Sequence, residues 1–234
     1  MRQRLLVLRA LGLGDLLTGL PALRALAEAF PFHRRVLAAP AWLEPVALLS
    51  GAVDEVLPAQ PLGPIDCDRP DVAVNLHGRG PHSHRRLLET NPRRLIAFHH
   101  PEVAASAGSP RWRADEHEVR RWCRLLVESG IPADPTWLEL DAPFREPPKR
   151  ARGATLLHPG ASSEARRWPA GRWAMVARAE RRAGREVVVT GGPAEVELAA
   201  TVARLAGLPG NRGFAGGLTG IRLSLPRRSA GACR

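Results

Sequence analysis

The chain of 234 residues (25.4 kDa) is 44% apolar, enough to fill the core of one large or two small globular domains and too much for a disordered polymer. Its formal net charge of +11 and pI of about 11.4 would suit a nucleic-acid binder, but the basicity is almost all arginine, scattered with alanine, glycine and 22 prolines, and aromatics make up only 5%. That pattern reads as a composition bias of the whole chain and argues against nucleic acid as partner, while a basic cleft for an anionic small molecule stays compatible.

Cys67, Cys123 and Cys233 are odd in number and far apart, so they indicate neither a disulfide framework nor a zinc site, and a reducing cytoplasm is the default location. The N-terminal apolar run is short and broken by Arg9 and Asp15, which excludes a signal peptide or a spanning helix. Peripheral contact with the inner face of a membrane stays compatible.

Taken in order, Arg4–Arg9 reads as a buried parallel strand, and Leu16, Leu20, Leu23, Ala27 and Phe30 recur at helical spacing after it. Between them lies a glycine-rich corner with Gly12, Gly14 and Asp15. Glycines there let main-chain N–H groups approach a ligand, and the helix end beside them favours negative charge. A dinucleotide fingerprint fails because its third glycine would fall at Leu17, and a phosphate loop fails because Lys149 is the sole lysine. Pro21 predicts that the regular helix starts only near Leu17 or Thr18, leaving Asp15 on an irregular corner. Spacing alone leaves two readings of Asp15 open, an N-cap or a reactive carboxylate.

Short strands and helices then alternate, as in a doubly wound α/β sheet. Strands are expected at Arg35–Ala39, Val53–Leu57, Asp71–Leu76 and Arg94–Phe98, and helices at Trp42–Ser50, through Leu87 and Leu88, and at Asp115–Ser129. The last has a predicted apolar stripe of Val119, Trp122, Cys123, Leu126 and Val127. Pro143–Gly153 reads as a linker between a first domain, 1–142, and a second, 154–216. The second repeats the pattern with strand Ala154–Leu157, helix Gly171–Ala183, strand Glu186–Thr190 and helix Ala194–Leu205. Residues 217–234 read as an irregular tail, and too few strands are present to complete a second sheet, so truncation is the expectation.

Candidate chemistry clusters at strand ends. His158-Pro-Gly-Ala-Ser-Ser-Glu-Ala-Arg-Arg-Trp-Pro places Ser162, Ser163 and Arg166 where they could donate hydrogen bonds to a phosphate, or simply line a solvated loop. Gly191 and Gly192 form a turn opening a helix with Pro193 at its first position, and Glu195 there either complements the helix dipole or grips ribose hydroxyls. His77, His82 and His84 lack acidic or cysteine partners at ligand spacing, so no metal is assigned. Substrate contact through His77, with Arg79 and Arg85 placed for anionic groups, is favoured over a metal. Trp122 and Trp173 read as core.

With Gly-Leu-Gly-Asp-Leu-Leu-Thr-Gly-Leu-Pro-Ala-Leu-Arg, Asn-Leu-His-Gly-Arg-Gly, the His158 segment and Val-Val-Val-Thr-Gly-Gly-Pro-Ala-Glu in this order, the chain resembles the heptosyltransferase-type glycosyltransferases, family nine. The resemblance spans roughly Arg2 to Gly216. It implies two Rossmann-like domains facing a cleft (GT-B type), the second incomplete. It also implies inverting, metal-independent transfer of a heptose-like sugar from an ADP- or other nucleotide-sugar donor to a glycan or glycolipid acceptor, with no cofactor. In it Asp15 matches the general base and Arg166 the stabiliser of the departing diphosphate. Ser162 or Ser163 would hold phosphate and Glu195 the ribose, with Gly191 and Gly192 on the donor side and Gly12, Gly14, His77 and Arg79 on the acceptor side. Two departures stand out. Asn75 replaces the family's common aspartate, and the later Asp-Thr-Gly…His motif is absent. A catalytically silent glycan- or anion-binding remnant is the rival expectation.

Overall fold

The computed structural model describes residues 3–141, 151–161, 163–209 and 213–215. The chain divides into two compact units, Met1–Ala142 and Pro143–Arg234. The expected linker core at 143–150, Ser162, Cys233 and the tail lie outside the described residues.

In the first unit β1 (Arg4–Leu8), β2 (Arg34–Ala39), β3 (Glu55–Pro58), β4 (Val72–Asn75) and β5 (Arg94–Ile96) form one parallel sheet in the order β3-β2-β1-β4-β5. Leu5, Leu6, Val7 and Leu8 are all buried, as a strand covered on both faces requires. The strands are joined through α1 (Leu13–Ala29), α2 (Glu44–Leu49) and α3 (His82–Leu88), and α4 (Glu118–Glu128) follows β5. Strand order reverses between β1 and β4. In open α/β sheets the loops leaving two such strands diverge, and ligands bind in the crevice between them.

Helix α1 departs from expectation. It begins at Leu13, capped by Gly12, and carries Pro21 in its interior, so Asp15 sits in its first turn. An interior proline costs roughly 3 kcal/mol, whereas each fully buried leucine returns about 1.5–3 kcal/mol. Pro21 is buried together with Leu16, Leu20, Leu23 and Leu26, so packing outweighs the lost bond.

Helix α4 packs against α1 and its stripe is rotated from the predicted one. Val119, Trp122, Cys123 and Leu126 are buried as expected, but Val127 is 53% exposed and Leu125 and Arg121 are buried instead. Arg121 explains the rotation: its guanidinium stacks 4.2 Å from the Trp112 ring and donates to the carbonyls of Arg113, Ala114 and Glu116. That drags the Arg121–Leu125 side of the helix inward. Phe98, Trp112 and Trp122 meet edge-on or tilted, with centroids 5.2–6.0 Å apart.

The second unit holds β6 (Thr155–Leu157), β7 (Val187–Gly191) and β8 (Gly213–Ala215), parallel and in the order β6-β7-β8. Helices α5 (Ala170–Arg182) and α6 (Val196–Leu205) pack on each other and on the sheet through Ala174, Ala177, Ala199 and Val202 against Leu157, Val187 and Val189. The alanines let the helices approach closely. The sequence offers no sign of β8, because three residues carry no readable period. No helix among the described residues is long and apolar enough to cross a membrane.

Trp122 is the largest fully buried side chain of the first unit. Truncation by Trp122→Ala is expected to cost about 3–5 kcal/mol, read as a lowered urea midpoint of the first unit's transition. A loss under about 1 kcal/mol would mean that the aromatic cluster contributes little.

Candidate functional site

The corner after β1 is built on Arg9. Its side chain is fully buried immediately after the apolar run Leu5–Leu8. The guanidinium donates through Nε to the carbonyl of Asp15, through Nη1 to the carbonyl of Leu76, and through Nη2 to Thr18 Oγ1 at 2.9 Å. Glu118 Oε2 lies 3.8 Å from Nη2 and the Trp122 ring centroid 4.9 Å from the guanidinium carbon. Burial lowers the Arg9 pKa to about 10, against the pull of Glu118 and Asp15, so the group stays cationic at neutral pH.

Asp15 is half-buried. Its Oδ2 accepts the Gly12 N–H at 3.1 Å, as a residue in the first turn of a capped helix does. Its Oδ1 has no hydrogen-bond partner among the described residues. The N-cap is therefore Gly12 and not Asp15, which sits at the third helical position with one oxygen in the capping contact. The Gly12 N–H, expected to face a ligand, is instead spent on Asp15. Gly14 is exposed, and a Cβ placed on it would meet nothing within 4 Å, so packing does not demand glycine there.

Across the switch point, the loop after β4 hangs on buried Asn75. Its Oδ1 accepts the His77 N–H at 2.9 Å, and its Nδ2 bonds Ser83 Oγ at 2.9 Å and His84 Nδ1 at 2.9 Å. His84 Nε2 reaches the Phe98 carbonyl at 2.6 Å. A carbonyl only accepts, so Nε2 carries the proton and Nδ1 takes the amide's. Burial lowers the His84 pKa, consistent with a neutral ring. Gly80, at φ +83°, lies flat on that ring: a Cβ would fall 2.5 Å from Nδ1. His84 is thus a structural hub and no surface ligand.

His77 is half-buried with Nδ1 buried and without a partner among the described residues. Its pKa is lowered by burial and by Arg9, against the opposing pull of Asp15. Arg79 is exposed, and Arg85 pairs with Glu102 at 2.8 Å. Among the described residues no group of three His, Cys, Asp or Glu side chains could hold a metal.

In the second unit the same acid-to-glycine contact recurs. Glu195 Oε2 accepts the Gly192 N–H at 2.7 Å. The same oxygen lies 3.7 Å from His158 Nε2, and the carboxylate rests against Gly160, where a Cβ would fall 2.0 Å from Oε1. His158 Nδ1 in turn meets Thr190 Oγ1 at 3.1 Å. Gly191, at the end of β7, has Glu195 Cβ where its own would stand, at 3.2 Å. The glycines here make room for the acid. Ser163 precedes a single 3₁₀ turn, Glu164–Arg166, so Arg166 sits on that turn ahead of α5 and not at the α5 terminus. Arg166 is exposed, and its guanidinium has no partner among the described residues; the neighbouring Arg167 Nε is spent on the Ala161 carbonyl at 3.0 Å. Pro169 is the N-cap of α5 and not its first helical residue, which is Ala170.

Sequence reasoning missed Arg9 as a site-forming group, and noticed Asn75 and His84 without their bond to each other. A charge at the end of a buried apolar run was the available signal for the first, and only the fold reveals the bond between the other two.

Comparison with known proteins follows from this geometry. Residues 104–216 match the family described as glycosyltransferase family 9 (heptosyltransferase). No curated protein matches the chain. Among solved structures, the glycosyl transferase family 9 protein of Veillonella parvula aligns with a TM-score of 0.66 at 20% identity, over 86% of this chain and 67% of its own. The ADP-heptose LPS heptosyltransferase II of E. coli aligns at 0.65 and 18%, over 92% and 72%. The E. coli heptosyltransferase WaaC, solved with ADP, aligns at 0.63 and 14%, over 91% and 74%. At these identities the likeness is one of fold, a mixed α/β architecture with parallel sheets.

Two expectations follow. Gly14→Ala is expected to stabilise the chain by a few tenths of a kcal/mol through helix propensity while weakening any ligand that rests on this corner, read by thermal melting beside ligand titration; a destabilised variant would show that the open space is packed. For His84, the unfolded imidazole takes up a proton near 6.5 while the folded one resists until lower pH. Over that window the unfolded state binds more protons, so stability falls as pH drops below 6.5, with His77 acting in the same direction. Urea midpoints across that window should decline on acidification, and less steeply in His84→Gln; an equal slope would assign the dependence elsewhere.

Proposed function

From residues 104–216 as a glycosyltransferase family 9 (heptosyltransferase) segment, on a fold shared with heptosyltransferases, we propose that the chain transfers a heptose-like sugar. The donor is an ADP- or other nucleotide-sugar, and the acceptor a hydroxyl of a glycan or glycolipid. The observation that carries the proposal is Asp15: one carboxylate oxygen anchored to Gly12 and the other open, at the switch point of a parallel sheet, beside a buried cation. A carboxylate held this way is oriented, with one oxygen left to accept a proton, which is what a general base requires.

In the proposed reaction Asp15 takes the proton of the acceptor hydroxyl as that oxygen bonds to the anomeric carbon. The bond from that carbon to the diphosphate breaks in the same step, the anomeric configuration inverts, and the nucleoside diphosphate leaves with the electron pair. His77, Arg79 and the surface over Gly14 serve the acceptor. Arg166, unpaired among the described residues, meets the negative charge developing on the leaving diphosphate, with Ser162 or Ser163 donating to its oxygens. Glu195 and the Gly191-Gly192 turn belong to the donor side. Because Glu195 already serves Gly192 and His158, it grips a ribose only through Oε1 or by exchange of those bonds. A cytoplasmic site of action, at the membrane face where a glycolipid would be presented, accords with this reading.

The test is transfer from ADP-heptose and related donors, followed by release of nucleoside diphosphate. Asp15→Ala is expected to lower turnover by about 10²–10⁴-fold while losing only about 0.5–1.5 kcal/mol of stability with the hydrogen bond to the Gly12 N–H. Turnover retained in that variant removes Asp15 from its role. Glycan binding by calorimetry without any nucleotide-sugar binding would favour a silent remnant over an enzyme.

A further inference from the structure

One guanidinium joins the two loops that carry the candidate acceptor-side residues. Arg9 donates to the carbonyl of Asp15 on α1 and to the carbonyl of Leu76, the residue immediately before His77 on the β4 loop. Its third arm holds Thr18, whose hydroxyl donates back to the Asp15 carbonyl at 3.0 Å. These loops leave strands on either side of the point where sheet order reverses, so the sheet itself gives them no direct main-chain pairing beyond Asn75 and Leu76. We propose that Arg9 is a positioning residue that fixes the distance between the Asp15 carboxylate and the His77 ring. The proposal rests on reading Asp15 as the base.

Three observations argue that the role is geometric and not only electrostatic. The side chain has no solvent exposure and spreads its three nitrogens over three separate acceptors, a span that a planar fork covers and a lysine ammonium, with all its donors on one atom, does not. Gly19 has no side chain where Arg9 passes: a Cβ there would stand 3.0 Å from both Cδ and Nε of Arg9. And Glu118 on α4 is shared, with Oε2 3.8 Å from Arg9 Nη2 and Oε1 bonded to Arg121 Nη1, so the fork is steadied from the far side by the helix packed on α1. The charged groups in reach of His77 are Arg9 from the corner after β1 and Asp15 from α1, with Glu118 behind Arg9.

The two side chains report their spacing through each other's charge. In the full chain, the titration midpoint of His77 is followed by the NMR shift of its imidazole carbon, assigned by loss of the signal in His77→Gln. Asp15→Asn is expected to lower that midpoint, because a favourable charge is removed. Arg9→Lys keeps a cation but loses the fork, and Gly19→Ala keeps Arg9 but crowds it. In both backgrounds the response of His77 to Asp15→Asn is expected to shrink to less than half its wild-type size. Should Arg9→Lys fail to fold, Gly19→Ala, a change that favours helix, gives the same reading on its own. Turnover, where measured, should drop roughly 10–100-fold in kcat in Gly19→Ala with KM for the donor unchanged.

A His77 response of full size in Gly19→Ala overturns the proposal, as does the absence of any response in the wild-type background. Neither outcome bears on whether Asp15 is the base, which the turnover of Asp15→Ala decides separately. If Asp15→Ala retains turnover while the His77 response behaves as expected, the clamp stands as structure and the assignment of the base falls.

Discussion

The first unit depends on keeping a positive charge out of water. Moving an isolated guanidinium into a protein interior is prohibitive, and Arg9 is tolerated only because every arm is bonded and an aromatic face and a carboxylate lie beside it. Those conditions dictate much else. They require Glu118 at the start of α4, Trp122 one turn later, a hydroxyl at Thr18, and no side chain at Gly19. They also place two main-chain carbonyls at fixed points, one in each loop of the crevice. A buried cation here does not serve mainly to add stability. It specifies where loops lie.

The two units repeat one local device with different surroundings. A glycine N–H caps a helical turn and is held by the acid three residues on, Asp15 to Gly12 and Glu195 to Gly192. The shorter aspartate keeps one oxygen open. The longer glutamate folds over Gly160 and approaches His158, so its carboxylate also joins two neighbouring loops. Side-chain length and neighbours together separate a carboxylate with a free oxygen from one that braces the main chain.

Much of this was legible in the sequence, for reasons that can be stated. Leu5–Leu8 and Val187–Val189 are continuous apolar runs, which parallel strands covered on both faces produce, and the glycine corners mark where each strand hands over to a helix. Asp15 is visible for the same reason. The start of α1 was not, because Pro21 is a strong local signal and its burial among leucines is a tertiary fact. Nor was the rotation of α4, since Arg121 looks polar in a pattern and behaves as a core residue once its Nη2 finds three carbonyls and Trp112 lies beneath it. Strand β8 is too short to have a pattern. The roles of Asn75 and His84 depend on contacts across nine positions and to Phe98, which no spacing rule encodes.

The amide at position 75 has a further consequence. A carboxylate in that buried place would sit against the imidazole of His84, and the pair would hold either a shared proton or two opposite charges. Asn75 donates to that nitrogen instead, so ring and amide are both uncharged and their bonds have one arrangement only. The β4 loop is therefore suspended from an electrically silent joint. A change of charge in the crevice leaves the hinge on which His77 hangs unaltered, so the loop's posture is insulated from what happens at its tip.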